Sequence, residues 1–88
     1  MQLETVPTRS DAVVSRRADE TVILLDPSSG QYFTLDDVGG RVWELCDGSR
    51  TVAEIADALA AEYDAPTARI RADVLELLVD LRQTGLVV

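Results

Sequence analysis

The stretch Thr21-Val-Ile-Leu-Leu-Asp-Pro-Ser-Ser-Gly-Gln-Tyr-Phe-Thr-Leu35 decides the fold. Thr21 to Leu25 is β-branched and apolar, and Gln31 to Leu35 is a second run of strand-forming residues. Between them, Asp26-Pro27-Ser28-Ser29-Gly30 is dense turn chemistry: proline presets φ, and glycine accepts a positive one. Strand, short glycine-containing loop, strand is a β-hairpin. Upstream, the run Ala12 to Arg17 supplies a further strand, set off from the hairpin by Asp19-Glu20, and residues 1–11 are left as an N-terminal arm.

From Asp36 onward the apolar period becomes helical. Val38, Val42, Leu45 and Cys46 share one face, with Trp43 at its edge, and Gly48 ends the segment. Gly39-Gly40 lowers local helix propensity and is expected where backbone packs closely against a neighbour. Thr51-Val-Ala-Glu54 is a capping box, in which hydroxyl and carboxylate each satisfy a free N–H at a helix start. The helix that follows places Val52, Ile55, Ala56, Leu59 and Tyr63 on a buried stripe and exposes Glu54, Asp57 and Glu62. Asp64-Ala65-Pro66 breaks it and opens a last helix that runs to about Thr84, before a stop at Gly85. Leu86-Val87-Val88 is expected to fold back onto the core. The expected fold class is α+β: a winged helix-turn-helix with an N-terminal three-stranded antiparallel sheet followed by three helices, one domain over residues 12–88.

Composition excludes more than it assigns. The 88 residues suit one small core, and 47% hydrophobic content is enough to fold it. No apolar run approaches the ~20 residues of a membrane span, and Met1 to Ser10 lacks a signal-peptide layout. A cytoplasmic protein with no membrane partner is expected. Histidine is absent and Cys46 is the single cysteine, which removes the commonest general base, the commonest metal ligand and any multi-cysteine cluster. No catalytic residue, metal or cofactor is expected; Cys46, on an apolar stripe without a base, is core filler. The carboxylate pairs Asp36-Asp37 and Asp73 with Glu76 then read as a helix start and a solvated face rather than as acid and base. A phosphopantetheine carrier is disfavoured because none of Ser10, Ser15, Ser28, Ser29 or Ser49 sits in an Asp-Ser-Leu helix start. Eight arginines face sixteen acids, a net charge of -8, and Asp73, Glu76 and Asp80 on the last helix would repel phosphate, so no nucleic-acid partner is expected.

What remains is recognition of another chain. At about 100° per residue, Ile70, Val74, Leu77 and Leu81 form a core stripe on the last helix, while Leu75, Leu78 and Val79 lie off it, flanked by Arg71 and Arg82. Either another part of the protein covers that second arc or a partner does; Leu78 is open to both, and Leu75 and Val79 are assigned to the partner. The hairpin offers the other half, because so small a sheet must have an edge. Gln31, Tyr32, Phe33, Thr34 and Leu35 contain no proline or charge to guard one, so this strand can accept an extended peptide by backbone pairing. Tyr32 and Phe33 point to opposite faces, one to the core and the other to the border of the groove. Arg71 and Arg82 are candidates to pair with acids on the peptide.

The run Leu45-Cys-Asp-Gly-Ser-Arg-Thr-Val-Ala-Glu-Ile-Ala-Asp-Ala-Leu-Ala-Ala-Glu-Tyr63 resembles the helix-turn-helix core of the PqqD family, as does Ala72-Asp-Val-Leu-Glu-Leu-Leu with Leu81 and Gly85-Leu86. The upstream part, Thr21 through Gly30-Gln-Tyr-Phe-Thr-Leu35 to Trp43, resembles the stand-alone recognition proteins of lasso-peptide clusters, members of the same superfamily of RiPP precursor recognition elements. The likeness spans about residues 12–88. It implies a non-catalytic domain that takes a precursor's leader peptide as an added strand on the third strand, in a cleft against the third helix. It also implies partners: a cysteine-protease leader peptidase, to which a chain ending at Val88 is not expected to be fused, and an ATP-dependent macrolactam synthetase. The alternative it implies is a peptide chaperone for a radical-SAM maturation enzyme, including quinone-cofactor biosynthesis. The Gly30-Gln-Tyr-Phe pattern departs from typical PqqD and puts that route second.

Overall fold

The computed structural model describes residues 1–88. Three strands, β1 (Val14–Ala18), β2 (Thr21–Asp26) and β3 (Gln31–Leu35), precede three helices, α1 (Asp37–Leu45), α2 (Val52–Tyr63) and α3 (Thr67–Gln83). The α+β order is the expected one. The sheet is antiparallel with strand order β1-β2-β3, so β3 is an edge. In the hairpin Leu24 stands opposite Phe33 and Leu25 opposite Tyr32. The turn closes as its composition demands: the Asp26 carboxylate accepts from the Ser28 N–H at 3.0 Å, and Gly30, at φ 73°, donates its N–H to the Asp26 carbonyl. β1 starts two residues later than expected, because Ala12 lies in a turn where its N–H donates to Ser10 Oγ.

Strand alternation sends Val22 and Leu24 inward, where they are fully buried, with Phe33 and Leu35 half-buried beside them. α1 lies on this inner face. Asp36 caps it, its side chain accepting the Gly39 N–H at 2.7 Å, and Val42 and Trp43 are buried in the core. α2 begins with the full capping box: Thr51 Oγ1 accepts the Glu54 N–H at 3.1 Å, and Glu54 Oε1 accepts the Thr51 N–H at 2.9 Å. Its next two free N–H groups, on Val52 and Ala53, donate to the carbonyls of Thr5 and Leu3.

Residues 1–11, expected as an arm, are therefore bonded along the body of the molecule. Thr8 and Val88 exchange N–H···O=C bonds, Ser10 donates to the Leu86 carbonyl, and Pro7 is fully buried. Leu86 and Val87 return to the core beneath them. Two residues leave the stripes drawn for them. Tyr63 is exposed at the end of α2, where its hydroxyl donates to Asp37 Oδ2 at 2.8 Å, and Val38 is 39% exposed at the start of α1. A phenol can leave the core when an acceptor waits at the surface. Around that acceptor Arg17 braces β1 to α1, reaching both Glu44 oxygens at 3.0 Å and Asp37 at 3.2 Å.

Candidate functional site

The free edge of β3 runs beside an open cavity of about 460 Å³. Thr34 and Leu35 bring the strand to its rim, Val38 and Val42 of α1 form its floor with Gly39, and Ile70, Val74 and Leu77 of α3 form its far wall. Asp36 and Asp73 are the carboxylates at its border. The cavity is mostly apolar, and an edge strand supplies the unpaired backbone groups alongside it. Such a combination accepts an extended chain: backbone pairing along β3, with one face of alternate side chains lowered into the cavity. The polar side chains of its lining are the Thr34 hydroxyl and the carboxylates of Asp36 and Asp73.

Phe33 is the inward aromatic of the pair that the sequence left open; Tyr32 is 71% exposed on the outer face of the sheet. Neither borders the cavity, which meets β3 at Thr34 and Leu35. On α3 the sequence expectation is corrected. Leu78 is fully buried in the core with Val74 and Leu81, so it has no surface to offer a partner. The buried arc is turned by about 40° from the expected stripe, because α3 packs against α2 on one side and leaves the other side open. Ile70 and Leu77, assigned to the core, are half-buried: they pack against it and also line the cavity.

The flank carrying Arg71, Leu75, Val79 and Arg82 does not border the cavity. Arg71 is ion-paired with Asp57 of α2 at 3.0 Å, Leu75 and Val79 are half-buried, and Arg82 is exposed. Of the residues expected to hold a peptide, Thr34 and Leu35 of β3 border this cavity, and those of α3 do not. The cavity residues absent from that expectation are Asp36, Val38, Gly39 and Val42 at and beside α1, and Ile70, Asp73, Val74 and Leu77 of α3. For Ile70, Val74 and Leu77 the signal lay in the apolar arc of α3, which has two borders; periodicity cannot say which of them a neighbour covers.

Cys46 is buried and its thiol is pushed up to about 12, chiefly by loss of solvent, with the nearby Arg9 only partly opposing this. A thiol so protonated is no nucleophile.

The chain is similar to proteins of known kind. Residues 21–87 match the family model described as "Coenzyme PQQ synthesis protein D (PqqD)". The PqqA binding protein of Rhodopseudomonas palustris (strain HaA2) is 46% identical over 72 residues, covering 78% of this chain and 69% of that protein. Among solved structures, TbiB1 in complex with the TbiA(beta) leader peptide is 39% identical and superposes with a TM-score of 0.82, covering 91% of this chain and 93% of that one. The PqqD truncation of Methylobacterium extorquens PqqCD, a stand-alone RiPP recognition element solved by solution NMR, is 35% identical with a TM-score of 0.83, covering 99% and 93%. Matched over most of its length in sequence and in fold, this chain belongs to the PqqD family.

Proposed function

We propose that this protein is a non-catalytic adaptor that binds the leader region of a ribosomally synthesised precursor peptide as a fourth strand on β3. The observation that carries the reading is the unguarded β3 edge running beside an open apolar cavity. Gln31 to Leu35 form the docking strand, and Val38, Ile70, Val74 and Leu77 receive side chains from one face of the peptide. Holding the leader raises the concentration of the attached core peptide near its enzymes without any chemistry in the adaptor itself. The α2–turn–α3 pair, with the sheet as a wing placed first, is a helix-turn-helix scaffold used here for a peptide; the carboxylates Asp73, Glu76 and Asp80 on α3 and the net charge of -8 are unsuited to a phosphate backbone. No helix is long and apolar enough to cross a membrane, and the proposed setting is the cytoplasm.

The lasso-peptide route is the first choice, with a leader peptidase and a macrolactam synthetase as the enzymes served. Its support is the resemblance of the Thr21–Leu35 hairpin to the recognition proteins of lasso-peptide clusters; the 39% identity to TbiB1, a structure determined with a leader peptide, supports leader binding itself. A second reading has its own support in the 46% identity to a PqqA binding protein: delivery of a PqqA-type peptide to a radical-SAM enzyme. Isothermal titration against synthetic leaders from precursor genes adjoining this one, and against PqqA, separates the two. Saturable binding of a lasso leader alone supports the first route and of PqqA alone the second, while no binding to either overturns the adaptor.

A further inference from the structure

The cavity does not end at Leu77. A shallower hollow of about 250 Å³ continues from it along α3, sharing Asp73 and Leu77 with it and adding Glu76 and Asp80. With Asp36 at the opposite border, four carboxylates rim the combined groove. One cation stands near them: Arg69, whose guanidinium is 3.9 Å from Asp73, with both side chains mostly exposed. Arg71 is held by Asp57 outside the groove, Arg41 by Glu62, and residues 27–35 carry no charge. The apolar floor and the acidic rim therefore face the same open volume.

Resting on the leader-binding reading, we infer that the peptide taken by this groove is basic: on one face of the bound strand it carries a large apolar residue and, near it, lysine or arginine. The spacing follows from the two geometries. An α-helix rises ~1.5 Å per residue, which spreads Asp73, Glu76 and Asp80 over about 10 Å. Same-face side chains of a strand lie about 6.8 Å apart, so with the apolar residue seated by Leu77 a cation roughly two or four positions away meets the carboxylates. The charge sign is opposite to the one the arginines of α3 suggest from sequence alone. A net charge of -8 on the protein acts in the same direction at longer range, drawing a basic segment toward the groove.

The test is selection of a random dodecapeptide display library on the intact protein, followed by fluorescence anisotropy with the enriched peptides. Enriched sequences are expected to carry Lys or Arg two or four positions from a large apolar residue. Changing that cation to Gln should weaken binding about twofold to fivefold, and to Glu further. The triple variant Asp73→Asn, Glu76→Gln, Asp80→Asn, checked for native circular dichroism, should bind the Lys and Gln peptides alike. Enriched peptides that are neutral or acidic, yet compete with one another for the groove, overturn the charge inference and leave the leader-binding reading standing. Failure of any peptide to bind overturns both.

Discussion

Gly40 of α1 and Val22 of β2 stand so close that a Cβ built on Gly40 lies 2.4 Å from Val22 Cγ2. No side chain fits in that gap, and the approach is what lets α1 lie flat on the inner face of the sheet. Alanine is the better helix former by about 1 kcal/mol, yet Gly40→Ala should destabilise the protein by about 1–3 kcal/mol through overpacking. Urea unfolding checks this, with Gly40→Ala/Val22→Ala expected to lose less than the two single changes summed.

Leu77 and Leu78 are neighbours in sequence with opposite roles. Leu78→Ala empties a fully buried site and should cost about 2–5 kcal/mol of stability. Leu77 is half-buried in the cavity wall, so Leu77→Ala should cost well under half of that while weakening peptide binding severalfold. Unfolding curves and anisotropy on the same two variants make the comparison.

Arg71 tests the flank of α3 that sequence reasoning preferred. Its pair with Asp57 is solvent-exposed, 40% and 50% for the two side chains, so Arg71→Ala should cost about 0–1 kcal/mol. Peptide affinity should stay within twofold of the wild type, because the residue does not border the groove. A tenfold loss of affinity would contradict the placement of the site.

The Arg17 cluster sets an acid limit on stability. Hydrogen bonds from Arg17 hold the Glu44 carboxyl below its ordinary value of 4.5. The Tyr63 hydroxyl, and then Arg17, hold Asp37 below 3.8. A depressed folded value means the stabilisation is complete above the ordinary value and is lost as pH falls through the folded one. The gap in urea midpoint between wild type and Glu44→Gln should accordingly be constant near neutrality and close below pH 4.5. A gap that widens toward acid would sink this account.

Cys46 should be inert in the folded state. Buried, with its thiol pushed up to about 12, it should react with a disulfide reagent at mildly alkaline pH only at the rate of unfolding, and at once in urea. Rapid labelling of the native protein would show that the core opens around it.

Much of this was legible in the sequence because it is decided locally. The hairpin follows from two strand-forming runs either side of Asp26-Pro27-Ser28-Ser29-Gly30, and the start of α2 from Thr51 and Glu54 three residues apart. Gly39-Gly40 announced a close approach, though the partner, Val22, was beyond reach eighteen residues away. An unguarded strand at Gln31–Leu35 was also visible, since protection of an edge is a matter of which residues are present.

Tertiary structure alone decided which flank of α3 faces the open volume. An apolar arc wider than one neighbour can cover has two borders with equal claims, and Leu75 and Leu77 differ only in which helix or strand lies next to them. Packing against α2 closed the Arg71 flank, buried Leu78, and left Ile70, Asp73 and Leu77 beside β3. The fate of residues 1–11 was settled in the same way, by carbonyls that met the free N–H groups of α2 and by a C-terminal segment that no local pattern pairs with Thr8. Periodicity fixes the angles between side chains on one element; only the arrangement of elements says which of those angles looks at water.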